Sequence, residues 1–121
     1  MGDTITIRIG DKVFAATLSD NATAAAFKKL LPLSVTMTEL NGNEKLFRLP
    51  DTMPARASTP ASIQTGDLML YGSSTLVLFY KSFPTSYSYT RIGRVDDPTG
   101  LDAALGLGDA AVVIEAASKK L

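Results

Sequence analysis

The chain of 121 residues contains no cysteine, no histidine and no tryptophan. Without cysteine there is no disulfide, no thiolate nucleophile and no zinc–sulfur site. Without histidine there is no Ser-His-Asp triad and no HExxH metal site, and the usual general base near neutral pH is missing. Chemistry is left to carboxylates, Lys, Arg, Tyr, hydroxyls and the backbone, and neither a cofactor nor a metal site is expected. A charge excess is absent too. Twelve basic and twelve acidic residues cancel, so the surplus with which a nucleic-acid binder neutralises phosphates is not there. No apolar run approaches the roughly 18 residues of a membrane span. The opening MGDTITIRIG alternates like a strand and is unlike an apolar signal sequence. The expectation is a cytoplasmic protein with no membrane and no nucleic-acid partner.

What is present reads as one domain over residues 1–121, with 45% hydrophobic residues to build a core. Ile5, Ile7 and Ile9 alternate with Thr4, Thr6 and Arg8, and Phe14, Ala16 and Leu18 alternate after a Gly10-Asp11 turn. That pattern predicts a hairpin of half-buried strands. From Ser19 the period changes. Ala24, Phe27 and Leu31 form one apolar stripe, capped by Ser19, Asp20 or Asn21 and stopped by Pro32. This predicts a helix of about ten residues.

SVTMTEL and Glu44 to Leu49 read as strands around an Asn41-Gly42-Asn43 turn. Pro50 to Gly66 is one long irregular segment, either functional or simply a connection that wraps the fold. DLMLYG and TLVLFYK form a second hairpin, and the unbroken apolar run Leu76 to Tyr80 predicts a strand buried on both faces. SYSYTRIGRV reads as the next strand, LDAAL as a short helix stopped by Gly106 and Gly108, and AAVVIEAA as the last strand. Strands at such even spacing favour a closed barrel, because closure removes exposed edges.

Several stretches carry a resemblance. TRIGRVDDPTGLDAAL, Thr90 to Leu105, is similar to the cyclophilin stretch that runs valine-valine-phenylalanine-glycine, a basic residue and valine, then a turn and helix. Gly66-Asp67-Leu68-Met69 and Leu78-Phe79-Tyr80 are similar to the two cyclophilin strands before it. With Leu18 to Asn21, Leu30-Leu31-Pro32, Asn41 to Lys45 and Tyr87 to Gly93, the chain as a whole resembles the bacterial cyclophilin-like domain family. The resemblance implies a mainly β fold: an eight-stranded barrel with two short helices at its ends. It also implies a groove related to that of prolyl isomerases, with Tyr89 in the place of the active-site histidine and Phe79 as the floor of the proline pocket. The phenylalanine–methionine–glutamine run beside the cyclophilin catalytic arginine has no counterpart between Ser34 and Gly66, nor has the cyclophilin tryptophan.

The candidate site follows from both readings. On a strand, Tyr87, Tyr89 and Arg91 share a face. Tyrosine offers a rigid surface and a hydroxyl at low entropic cost, and a guanidinium can grip a carboxylate or carbonyl or stack on a ring. The bland reading is that these are ordinary exposed strand residues. Asn43, Glu44 and Lys45 leave the turn together, either as a polar rim in which Glu44 pairs with Arg48 or Arg91, or as a solvated hairpin end. Asp67 reads as a turn cap. The leading expectation is a binding domain without efficient isomerase activity. Its groove is lined by Phe79, Tyr80, Tyr87, Tyr89 and Arg91, rimmed by Glu44 and Arg48, and holds a peptide segment or small molecule. One opposing reading is a divergent prolyl isomerase with Arg91 or Arg48 in the arginine role. Another is a structural module that forms a homo-oligomer through Tyr87 and Tyr89.

Overall fold

A computed structural model of the chain describes residues 3–117; the outermost ends of the expected domain, 1–2 and 118–121, lie outside the described residues. β1 (Thr4–Ile9) and β2 (Lys12–Leu18) form the first hairpin. Gly10 in its turn has φ 61°, a left-handed conformation that glycine adopts without a Cβ clash. Ile5, Ile7, Ile9, Phe14, Ala16 and Leu18 all point into one core, as their alternation requires.

α1 (Ala22–Lys28) is capped by Asn21, whose side-chain oxygen accepts the Ala24 N–H at 2.7 Å. It has seven residues, fewer than the expected ten or so. The amides of Lys29, Leu30 and Leu31 turn to carbonyls three residues back, so the chain tightens and leaves α geometry well before Pro32. Ala24 and Phe27 are buried in the main core, and Leu31 packs against that core half-buried.

The remaining barrel strands are β3 (Leu33–Leu40), β4 (Glu44–Arg48), β6 (Asp67–Tyr71), β7 (Thr75–Phe79), β9 (Thr90–Val95) and β10 (Ala110–Ala116). They close in the order β1-β10-β3-β4-β7-β6-β9-β2, each neighbouring pair antiparallel. The eight-stranded barrel is therefore as expected. α2 (Leu101–Leu105) follows β9. Because β9 runs antiparallel to β2, α1 and α2 stand at opposite ends of the barrel. No helix among the described residues is long and apolar enough to cross a membrane.

Two features were not legible as local pattern. β5 (Ser62–Ile63) pairs with β8 (Phe83–Pro84) as a small sheet outside the barrel. The expected strand over 86–95 begins only at Thr90, because β6 pairs with it no further than Leu70↔Thr90. Tyr89 bridges instead to Ser58 in the irregular segment, the two exchanging N–H···O bonds of 3.0 Å. That segment wraps the outside, held also by Met53 N–H to Ser73 O at 2.8 Å and Arg56 N–H to Thr90 Oγ1 at 3.1 Å.

The wrapping gives the protein two apolar layers. Leu76 and Leu78 of β7 enter the main core, while Val77 and Phe79 join Ile63, Met69 and Tyr89 in a second cluster on the outer face. β7 is thus buried on both faces, as its unbroken apolar run predicts. In β9 the pairing jumps from Leu68↔Gly93 to Met69↔Arg91, leaving Ile92 as an extra residue. This bulge shifts the alternation, so Ile92 and Val95 both face the core while Arg91 and Arg94 are exposed. Gly93 is dictated by contact: a Cβ there would lie 2.6 Å from the Thr17 carbonyl oxygen.

Candidate functional site

β4 presents Glu44, Leu46 and Arg48 outward, opposite Phe79, Val77 and Thr75 of β7. Tyr71 closes one side from the end of β6, and Tyr87 and Tyr89 arch over from the chain before β9. With Leu40 and Asn41 these residues border a groove of about 400 Å³. Tyr71 and Tyr87 meet edge to face at 6.3 Å between centroids, and Tyr71 and Tyr89 are tilted at 5.7 Å. Tyr89 is anchored beneath by Phe79, perpendicular at 5.4 Å. The rings form a rigid shelf whose base is buried and whose tip, Tyr87, is 62% exposed.

Glu44 is the charged group at the foot of this shelf. It is only 9% exposed, yet its side chain makes no hydrogen bond or ion pair among the described residues. Burial, and then the charge of Glu39, push its carboxyl above the usual carboxylate range. Burial also pushes the Tyr89 phenol up, with the Glu44 charge adding to it. Arg48 is exposed at the far end of the groove and has no partner among the described residues. The expected pairing of Glu44 with Arg48 or Arg91 is not formed.

Three of the expected lining residues stand elsewhere. Phe79 is fully buried under Tyr89 and Phe83, so it supports the groove from below. Tyr80 points to the opposite face of the sheet, where its hydroxyl donates to Glu39 Oε1 at 2.7 Å. Burial, then that bond, push its phenol up to about 12. Arg91 leaves the tyrosines because a buried carboxylate claims it. Asp67, 1% exposed at its side chain, takes Arg91 Nη1 at 3.2 Å and Arg94 Nε at 3.8 Å. Its other oxygen accepts the Gln64 N–H at 2.9 Å, so Asp67 does cap the turn. Arg91 then faces a second depression of about 510 Å³, shared with Arg56, Pro54 and the start of α1.

Lys45 departs most from its expected place at a polar rim or a solvated hairpin end. It is fully buried. Its Nζ donates to Glu39 Oε1 at 2.9 Å, to Gly106 O at 2.9 Å and to Gly108 O, and lies 5.1 Å from the Tyr80 ring centroid. The alternation of β4 turns it inward at the barrel end that α2 covers. That end supplies the carbonyls of Gly106, the cap of the short helix, and of Gly108 just beyond it, and an ammonium satisfies them. Tyr71 was missed as a groove residue. Its signal was the phase of DLMLY, which puts Met69 and Tyr71 on the face opposite Leu68 and Leu70. Among the described residues no three acidic, His or Cys side chains converge as a metal cluster would.

Known proteins bear on the fold and its family. A solved solution structure of a hypothetical protein from Archaeoglobus fulgidus is 20% identical, with a TM-score of 0.63. The match covers 96% of this chain and 95% of that one, and the likeness is one of fold. No curated protein matches the chain. The family model described as the Cyclophilin-like family matches residues 7–115. The barrel order, the two end helices and that match over nearly the whole chain make this protein a member of the Cyclophilin-like family.

Proposed function

We propose that the protein is a binding domain that holds a peptide segment or small molecule in the groove between Glu44 and Arg48, against Tyr71, Tyr87 and Tyr89. The observation that carries this reading is the clustering of unburied apolar surface. Leu40, Tyr71 and Tyr87 remain 41, 48 and 62% exposed, and all three border this one groove. A ligand seated there would remove that surface from water, and polar groups at both ends would orient it.

Efficient isomerase activity does not follow from the same residues. The barrier to prolyl isomerisation is about 18–20 kcal/mol, and lowering it calls for a donor fixed against the twisted nitrogen. Arg48 is the arginine of this groove, and no neighbour among the described residues holds its guanidinium in place. Arg91 is engaged with Asp67.

The test is NMR exchange spectroscopy on a panel of X-Pro peptides mixed with the protein. Uncatalysed exchange takes tens to hundreds of seconds, so catalysis stands out clearly. The expected result is peptide broadening, with shifts of groove amides, and no faster exchange. Accelerated exchange that disappears in Arg48→Ala would instead establish an isomerase. An assembly module would ignore the peptides and change its mass in solution on Tyr87→Ala.

A further inference from the structure

Resting on that binding role, we propose that the Glu44 end of the groove is a subsite for the ammonium group of a small organic amine. Three charged residues are buried among those described: Glu44, Lys45 and Asp67. Lys45 is met by Glu39 and two carbonyls, and Asp67 by two arginines and a backbone amide. Glu44 alone has no such partner. A buried carboxylate without a counter-charge costs free energy that a cation beside it would offset. Its titratable neighbours do not supply one. Glu39 carries the same sign, and Tyr80 and Tyr89 are neutral phenols whose ionisation the Glu44 charge opposes. Arg48 lies four residues along the strand, roughly 13 Å at the spacing of a β-strand, and does not reach it.

The tyrosines make the same choice of charge. Tyr71 and Tyr89 border the groove with Glu44, and aromatic faces attract cations through their quadrupole. An ammonium donating to the carboxylate beside such rings gains from both, and its alkyl part can lie along Leu46 and Val77. The walls favour a small amine over an extended peptide. β4 and β7 are hydrogen-bonded on both sides within the closed barrel, so no strand edge is free to pair with a peptide backbone. A volume of about 400 Å³ suits a small molecule.

The experiment is a titration of the 15N-labelled protein with n-hexylammonium chloride and, separately, with 1-hexanol, followed at the amides of Glu44, Leu46 and Val77. Hexylammonium should give saturable shifts and hexanol should bind at least about tenfold more weakly. Glu44→Gln should weaken the amine by about tenfold or more, with the amide spectrum otherwise intact. Tyr87→Ala, at an exposed position that does not endanger folding, should weaken it several-fold. Equal binding of hexanol, or undiminished amine binding by Glu44→Gln, overturns the inference. An X-Pro peptide that shifts these amides when hexylammonium does not also overturns it, and leaves the binding role standing. Silence from both probes removes the two together.

Discussion

Glu44 and Lys45 are neighbours on β4, both charged and both buried, and the fold treats them oppositely. Lys45 points into the barrel end and is saturated with acceptors. Glu44 points to the outer face and has no partner among the described residues. Strand geometry alone puts them on opposite faces. What differs is what each face was built to meet. The inner face is closed by α2 and its exit, which supply fixed carbonyls. The outer face is closed by the packed tyrosines around an open groove, which supply none. A charge satisfied from within belongs to stability, and a charge left unsatisfied at a groove is available to a ligand.

The largest expected effect breaks the inner half. Lys45→Met should destabilise the protein by about 3–5 kcal/mol, because Glu39 and the two glycine carbonyls lose their common donor; urea unfolding measures it. Tyr80→Phe removes one bond to the Glu39 carboxylate and should cost about 1–2 kcal/mol by the same assay. A loss below about 0.5 kcal/mol in either variant would mean that the inner network is not what holds this end of the barrel.

The outer half predicts the opposite sign. Burial raises the Glu44 carboxyl in the folded state, so the folded protein binds that proton more tightly than the unfolded chain. Its contribution to stability therefore falls as pH rises from the usual carboxylate range through the folded value. Glu44→Gln should remove that loss, gaining up to about 1 kcal/mol near neutral pH and nothing in acid. Glu39 runs the other way. The Tyr80 hydrogen bond first, and Lys45 with it, hold its carboxyl below the usual range. Its contribution is present above that range and is lost as pH falls through the folded value. Urea midpoints of the wild type and Glu44→Gln across acid to neutral pH separate the two carboxylates. The smallest effect is Tyr87→Ala, expected within about 0.5 kcal/mol in stability while binding in the groove declines. A large stability loss there would make the tyrosine shelf a structural element and not a ligand surface.

Much of the fold was legible because it is encoded at short range. The three isoleucines of β1 show their inward face by alternation, the run Leu76 to Tyr80 shows burial on both faces, and LDAAL before Gly106 and Gly108 shows a short helix with its stop marked. The site was legible only in part. Tyr87, Tyr89, Glu44 and Arg48 do border one groove. Phe79, Tyr80 and Arg91 do not: Phe79 lies beneath Tyr89, Tyr80 alternates to the inner face where its hydroxyl meets Glu39, and Arg91 is drawn off by Asp67. Tyr71 entered the groove by the ring contacts it makes with Tyr87 and Tyr89.

By itself the sequence determined the alternation of the barrel strands, the turns and the helix stops, because these depend on the side-chain period and on backbone preferences of a few adjacent residues. It also ruled out histidine and cysteine chemistry by composition. Tertiary structure alone decided which charges were answered. The Ser58–Tyr89 bridge, the bulge at Ile92 and the closing carbonyls near α2 join segments far apart in the chain. Whether a buried charge finds a partner is fixed by such long-range neighbours, and a one-dimensional pattern holds no record of them.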